Sequence, residues 1–169
     1  MSLLNSDPIY LIKTFNNLSI DFFDFIISVS KNLQNCDPKL VTEFNHYKIL
    51  YQTALKADAK LPIEHFCAEI IVTRPDQEIA YKQYIYNGDD DYFLGINVKD
   101  NVQINVSDEY ALINPGKLKK IWVLVSDNIK QEIKNKLINL TFVADQYYTT
   151  FLISACNSME QSIERTNAI

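Results

Sequence analysis

The chain has 169 residues, of which 47% are hydrophobic and 22% charged. That length and balance suit one folded domain and exclude a disordered chain. Only 3 glycines and 5 prolines leave too few turn residues for an all-β sandwich, and a net charge of −5 weighs against a duplex nucleic-acid binder, whose affinity comes mostly from neutralising phosphates.

The pattern predicts helices almost throughout. Asp7 is a capping residue and Pro8 fits a first helical position, so a short first helix is expected from Asp7 to Phe15. Ser19 is a candidate cap for a second, running to Leu33. Phe22, Ile26, Val29 and Leu33 line one of its faces, and Phe23 and Ile27 widen the stripe. This element is apolar over more than half its circumference and is expected at the centre of the fold. Asp37-Pro38 starts a third helix with the stripe Leu40, Phe44, Tyr47, Tyr51 and Leu55, ending near Ala57–Lys60. Pro62 opens a fourth, with Ile63, Phe66, Cys67, Ile70 and Ile71 inward, and Pro75 ends or kinks it. A fifth is expected from Asp76 to Tyr86, using Ile79, Tyr84 and Ile85, and Asn87-Gly88 stops it.

The segment near 88–115 is irregular, and Val98 to Val106 alternates weakly enough to read as a short strand or an extended loop. Pro115 or Lys117 starts a short helix carrying Leu118, Ile121, Trp122 and Val125. Ser126 or Asp127 then caps a long last helix with the stripe Ile129, Ile133, Leu137, Leu140, Ala144, Tyr147 or Tyr148, Phe151 and Ala155. The expected fold is therefore a mainly all-α, single-domain bundle of six to seven helices over residues 1–160. A polar tail follows at 161–169.

No apolar run reaches the length of a membrane span, and no secretory signal pattern opens the chain. The odd set Cys36, Cys67 and Cys156 then reads as reduced thiols in a cytosol-like compartment, and the sequons at Asn17, Asn105 and Asn139 as chance.

Catalytic and metal-binding patterns are missing from the sequence. His46 and His65 lack the helical i, i+4 or CxxC spacing that zinc favours, and His65 and Cys67 fall on different faces. Asp89-Asp90-Asp91 has its glycine, Gly88, before the acids and no closing glutamate, unlike a calcium loop. No glycine-rich phosphate loop and no nucleophile elbow occurs. The expectation is a protein without enzymatic activity or cofactor. The aromatics are the remaining excess: 10 Tyr, 9 Phe and one Trp. Most fall on helical stripes. Tyr84, Tyr86, Tyr92 and Phe93, with Trp122, Lys119 and Lys120, are candidates for a protein-contact surface, because aromatic anchors favour interfaces. The alternative is that these rings close the edge of the core. The one concentrated basic stretch, Lys117, Lys119 and Lys120, is short and lies beside Trp122.

Several landmarks follow one another along the chain. They are Phe15-Asn16 ahead of Phe22-Phe23-Asp24-Phe25-Ile26, the stretch Tyr51 to Phe66, Ile85 to Leu94, and Leu118-Lys119-Lys120-Ile121-Trp122 before a helix opening Asp127-Asn128-Ile129-Lys130. In this order the chain resembles a family of small, acidic, helical proteins encoded by nucleocytoplasmic large DNA viruses, the giant viruses, over about residues 15–150. It departs from the family pattern near Arg74–Glu78 and lacks a second tryptophan in the last helix. The resemblance implies a viral source, a setting in the host cytoplasm or the virion, and no catalytic residues. The expected function is a structural or interaction protein of such a virus: a minor virion component, an assembly factor or a subunit of a viral complex. The alternative is a host-modulating protein that seats a host partner's helix in a groove.

Overall fold

The computed structural model describes residues 7–35, 37–93 and 115–153. Among them the chain is all-α: seven helical segments and no strand. They are α1 (Pro8–Asn32), α2 (Pro38–Ala57), α3 (Leu61–Phe66, continued by a π turn at Cys67–Ile71), α4 (Tyr81–Asn87), α5 (Asp90–Phe93), α6 (Pro115–Trp122) and α7 (Asp127–Tyr147, continued by a π turn at Tyr148–Leu152). The region of the expected strand at Val98–Val106, the thiols Cys36 and Cys156, and the polar tail lie outside the described residues.

The first correction concerns α1. The two expected helices are one, 25 residues long. Asp7 caps it, its carboxylate accepting the Tyr10 N–H at 2.8 Å. Ser19 is no cap: it is buried, and its hydroxyl donates to the Phe15 carbonyl at 2.9 Å, inside the helix. Ser30 does the same to Ile26 at 2.8 Å. Serine in a helix interior either competes for backbone or bonds back to the previous turn, and here both bond back. Phe15, placed at the end of a short helix by sequence, instead joins Leu11, Phe22, Phe23, Ile26 and Ile27 on one buried side. Burying each such side chain contributes roughly 1.5–3 kcal/mol, enough to carry the helix through the polar pair Asn16-Asn17.

α1 packs against α2 on one side and α7 on the other, so it is central as its apolar girth predicts. α2 starts at the Asp37 cap, whose carboxylate accepts the Lys39 N–H at 2.9 Å, and buries Leu40, Phe44, Tyr47, Tyr51 and Ala54. Phe15 and Phe66 meet edge to face at 5.3 Å, and so do Phe23 and Tyr51 at 5.4 Å. α3 and its π turn bury Ile63, Phe66, Cys67, Ile70 and Ile71, the inward set expected from sequence. α7, capped by Ser126 accepting the Ile129 N–H at 3.3 Å, buries Ile133, Leu137, Leu140, Thr141, Val143, Ala144 and Tyr147.

The second correction is the fifth predicted helix. Residues 76–80 are not helical, and α4 begins only at Tyr81. Pro75 disfavours helical backbone at Arg74. A reciprocal turn then forms: the Gln77 side-chain carbonyl accepts the Arg74 N–H at 3.1 Å, and the Gln77 N–H donates to the Arg74 carbonyl at 3.0 Å. Ile79, expected inward, is therefore exposed. Gly88 ends α4 at φ 63°, with its N–H returned to Ile85.

Candidate protein-interaction groove

The residues singled out from sequence are brought together, but mostly inside. Asp89 caps α5, its carboxylate accepting the Asp91 N–H at 2.9 Å, and this short helix folds Tyr92 and Phe93 onto α6. Tyr84 stacks on Tyr92 at 5.8 Å, Tyr92 meets Phe93 edge to face at 5.5 Å, and Phe93 stacks on Trp122 at 4.6 Å. Tyr92, Phe93 and Trp122 are buried, so these three rings are core and not a contact surface. Tyr84 and Tyr86 are half-buried, and Lys119 and Lys120 are exposed on α6. Two cations cover the indole instead: Lys130 and Lys134 lie 5.7 and 5.8 Å from the Trp122 ring. Lys134 also pairs with Asp90 at 2.7 Å.

The titratable groups act as internal ties. Asp145 on α7 accepts from Tyr86 at 3.1 Å and pairs with Lys82 at 3.3 Å, fixing α4 to α7. Burial, then the Asp145 charge, pushes the Tyr86 hydroxyl well above the usual range. Tyr147 donates to Glu64 at 3.2 Å, fixing α7 to α3. Burial pushes the Cys67 thiol up to about 12, with the charges of Asp145 and Glu64 adding to it. The thiol sits 3.4 Å from the Ala144 carbonyl. A thiol held protonated this firmly is a packing group and a poor nucleophile. Burial lowers His65, opposed by the Glu69 charge. Glu69 pairs with Arg74 at 2.7 Å, and the Arg74 guanidinium lies 5.5 Å over the Tyr81 ring. Among the described residues no three His, Cys, Asp or Glu side chains converge as a metal site needs. No described helix is long and apolar enough to cross a membrane.

The open feature lies elsewhere. The last turns of α1 and the start of α7 leave a groove of about 430 Å³, lined on the α1 side by Phe25, Ser28, Val29, Asn32 and Leu33. The facing wall is Val125, Ser126, Ile129 and Glu132. Val123 and Leu124, exposed by 62% and 41%, immediately precede Val125 in the turn between α6 and α7. Lys136 lies 4.9 Å over the Phe25 ring. The sequence assigned Val29 and Leu33 to the inward stripe. In the structure α1 carries two apolar faces at this end: Phe22, Phe23, Ile26 and Ile27 enter the core, while Phe25, Val29 and Leu33 are only half-buried. The signal was the apolar girth of the helix, which exceeds what one core face needs.

Fold and groove together define an all-α protein with an apolar interhelical cleft and no recognised catalytic constellation among its described residues. The chain is 28% identical over 147 residues, covering 86% of its own length and 75% of the other protein's, to an uncharacterised protein of Acanthamoeba polyphaga mimivirus. No family model and no solved structure matches it. The likeness runs along most of both chains and supports a giant-virus origin for this one.

Proposed function

We propose that the protein is a non-enzymatic interaction protein of a large DNA virus, acting in the host cytoplasm or the virion as a minor virion component, an assembly factor or a subunit of a viral complex. The observation that carries this reading is the groove between α1 and α7, with Val123 and Leu124 exposed in the turn that leads into its wall at Val125. Apolar side chains left in contact with water beside a cleft are typical of a surface that a partner covers. The perturbed groups support the same reading. Cys67, Tyr86 and Tyr147 are all held in their neutral forms by burial and nearby carboxylates, the opposite of what an activated nucleophile or base requires.

The groove also favours a second reading, in which the seated helix belongs to a host protein. Affinity purification of the tagged chain from infected cells, with mass spectrometry of what accompanies it, separates the two. Recovery of viral capsid, transcription or translation components, lost in a Val29→Asp variant that keeps wild-type circular dichroism, supports the viral-complex reading. Recovery of one host protein, with the chain absent from virions, replaces it with the host-binding reading.

A further inference from the structure

We infer that a charge-free stripe on the exposed side of α7 is a docking face for a second copy of this chain, the two helices running antiparallel. The stripe lies beyond the groove and does not depend on it. Asn135, Asn139, Phe142 and Gln146 follow at spacings of four, three and four. That alternation keeps a seam of side chains turned toward one neighbouring helix. The first three are exposed, Phe142 by 46%, and Gln146 is half-buried. None is charged, although the solvent face of a helix ordinarily carries charge. From Leu137 to Leu152 the one charged residue is Asp145, which is tied to Lys82 and Tyr86 on α4. The charges near Asn135 are engaged outside the stripe: Lys134 with Asp90, Lys136 on the Phe25 ring, and Glu132 in the groove lining.

Two properties select a copy of this chain over another partner. The first is symmetry. The spacing reads the same in both directions, so an antiparallel copy sets Asn139 opposite Phe142 and Asn135 opposite Gln146, each pair twice. Ile138, half-buried and one turn before Phe142, then meets the copy's Phe142 ring as well. The second is charge. Each copy carries −5, so two copies repel wherever acidic surface meets acidic surface. A seam of amides and one ring joins them with no like charges opposed. A charged helix in the same place would bury its charges without partners. An amide both donates and accepts, so the side chains of the two copies satisfy one another. The seam from Asn135 to Gln146 is about 17 Å long, so the contact is small, under about 1,200 Å² in total, and the dimer is weak.

Sedimentation velocity of the full chain across a concentration series is expected to show a reversible dimer forming in the micromolar range. Phe142→Asp, an exposed substitution, should weaken dimerisation at least about tenfold with unchanged circular dichroism. Val29→Asp, in the groove, should leave the dimer intact, so the failure of this inference and that of the groove reading are distinguishable. Orientation is read by mixing Asn139→Cys chains with Phe142→Cys chains under mild oxidation and mapping disulfides by mass spectrometry. Cross-links between positions 139 and 142 should outnumber those between like positions. A chain that stays monomeric throughout, or a dimer untouched by Phe142→Asp, overturns the docking face. A predominance of like-position cross-links overturns the antiparallel seam.

Discussion

The hydroxyl of Tyr51 on α2 donates to the side-chain carbonyl of Asn16 on α1 at 3.2 Å, across 35 positions of sequence. The same Asn16 amide donates to the Ala59 carbonyl at 2.9 Å, so one buried side chain ties the α1–α2 hairpin to the link before α3. Replacing it removes both of these bonds. Asn16→Leu is expected to destabilise the fold by about 2–3 kcal/mol, and Tyr51→Phe by about 1 kcal/mol. Urea denaturation measures both. Equal midpoints for Asn16→Leu and the native chain would remove the tie.

Tyr92 presents the opposite case. Its ring is packed among Tyr81, Tyr84 and Phe93, but its hydroxyl is buried without a hydrogen-bond partner among the described residues. A buried, unsatisfied hydroxyl costs about 1–3 kcal/mol. Tyr92→Phe should therefore leave thermal stability unchanged or raise it, whereas Phe93→Ala, at a site with no exposure, should cost about 3–5 kcal/mol. A clear loss of stability in Tyr92→Phe would show that the hydroxyl has a partner.

Gly88 isolates a backbone effect. An added Cβ would meet only the Lys134 side chain, at 3.5 Å, so space is adequate, but φ is +63°. Gly88→Ala should cost about 1–2 kcal/mol from conformation alone, and Gly88→Asn less, since asparagine tolerates this region better. Chemical denaturation of the two variants orders them.

Two buried groups set an alkaline limit. Cys67 rises from 9.0 to about 12 through burial, then the charges of Asp145 and Glu64. Tyr147 rises from 10.0 to about 12 through burial, then Glu64. Both lose protons more easily in the unfolded chain, so folding holds protons that unfolding releases. Their contribution is full below about pH 9 and is lost as the pH climbs through 12. Denaturation midpoints should fall across that window, and less steeply in Cys67→Ala. Mass-mapped alkylation at pH 8 should leave Cys67 unmodified until urea unfolds the chain; rapid labelling of Cys67 in the native state would contradict its burial.

Much of the fold was legible because its signals are local. Asp37-Pro38, Asn87-Gly88 and Ser126 act within one turn, and all three start or stop helices where the pattern placed them. The inward faces of α2, α3 and α7 follow from spacing alone. The errors came where long-range partners decide. Ser19 carries the residue type of a cap, and only the packing of Phe15 against Phe66 makes it an interior position. Residues 76–80 have a helical pattern, but the reciprocal Arg74–Gln77 turn takes up the start of that stretch in non-helical backbone. The site was the least legible part. Tyr92 and Trp122 look like contact residues by type, and their burial depends on how α5 meets α6. Phe25, Val29 and Leu33 could be recognised as excess apolar surface, yet no spacing tells which of two faces a helix leaves open.

The two π turns, at Cys67–Ile71 and Tyr148–Leu152, each extend an α-helix with a wider loop of backbone. A π turn accommodates one residue more than the α-helical turn it replaces. Each is thus a place where the chain can gain or lose a single residue while the helix before it stays in register. Length changes among homologous chains are expected to collect there, in ordered structure, as well as in the connections between helices.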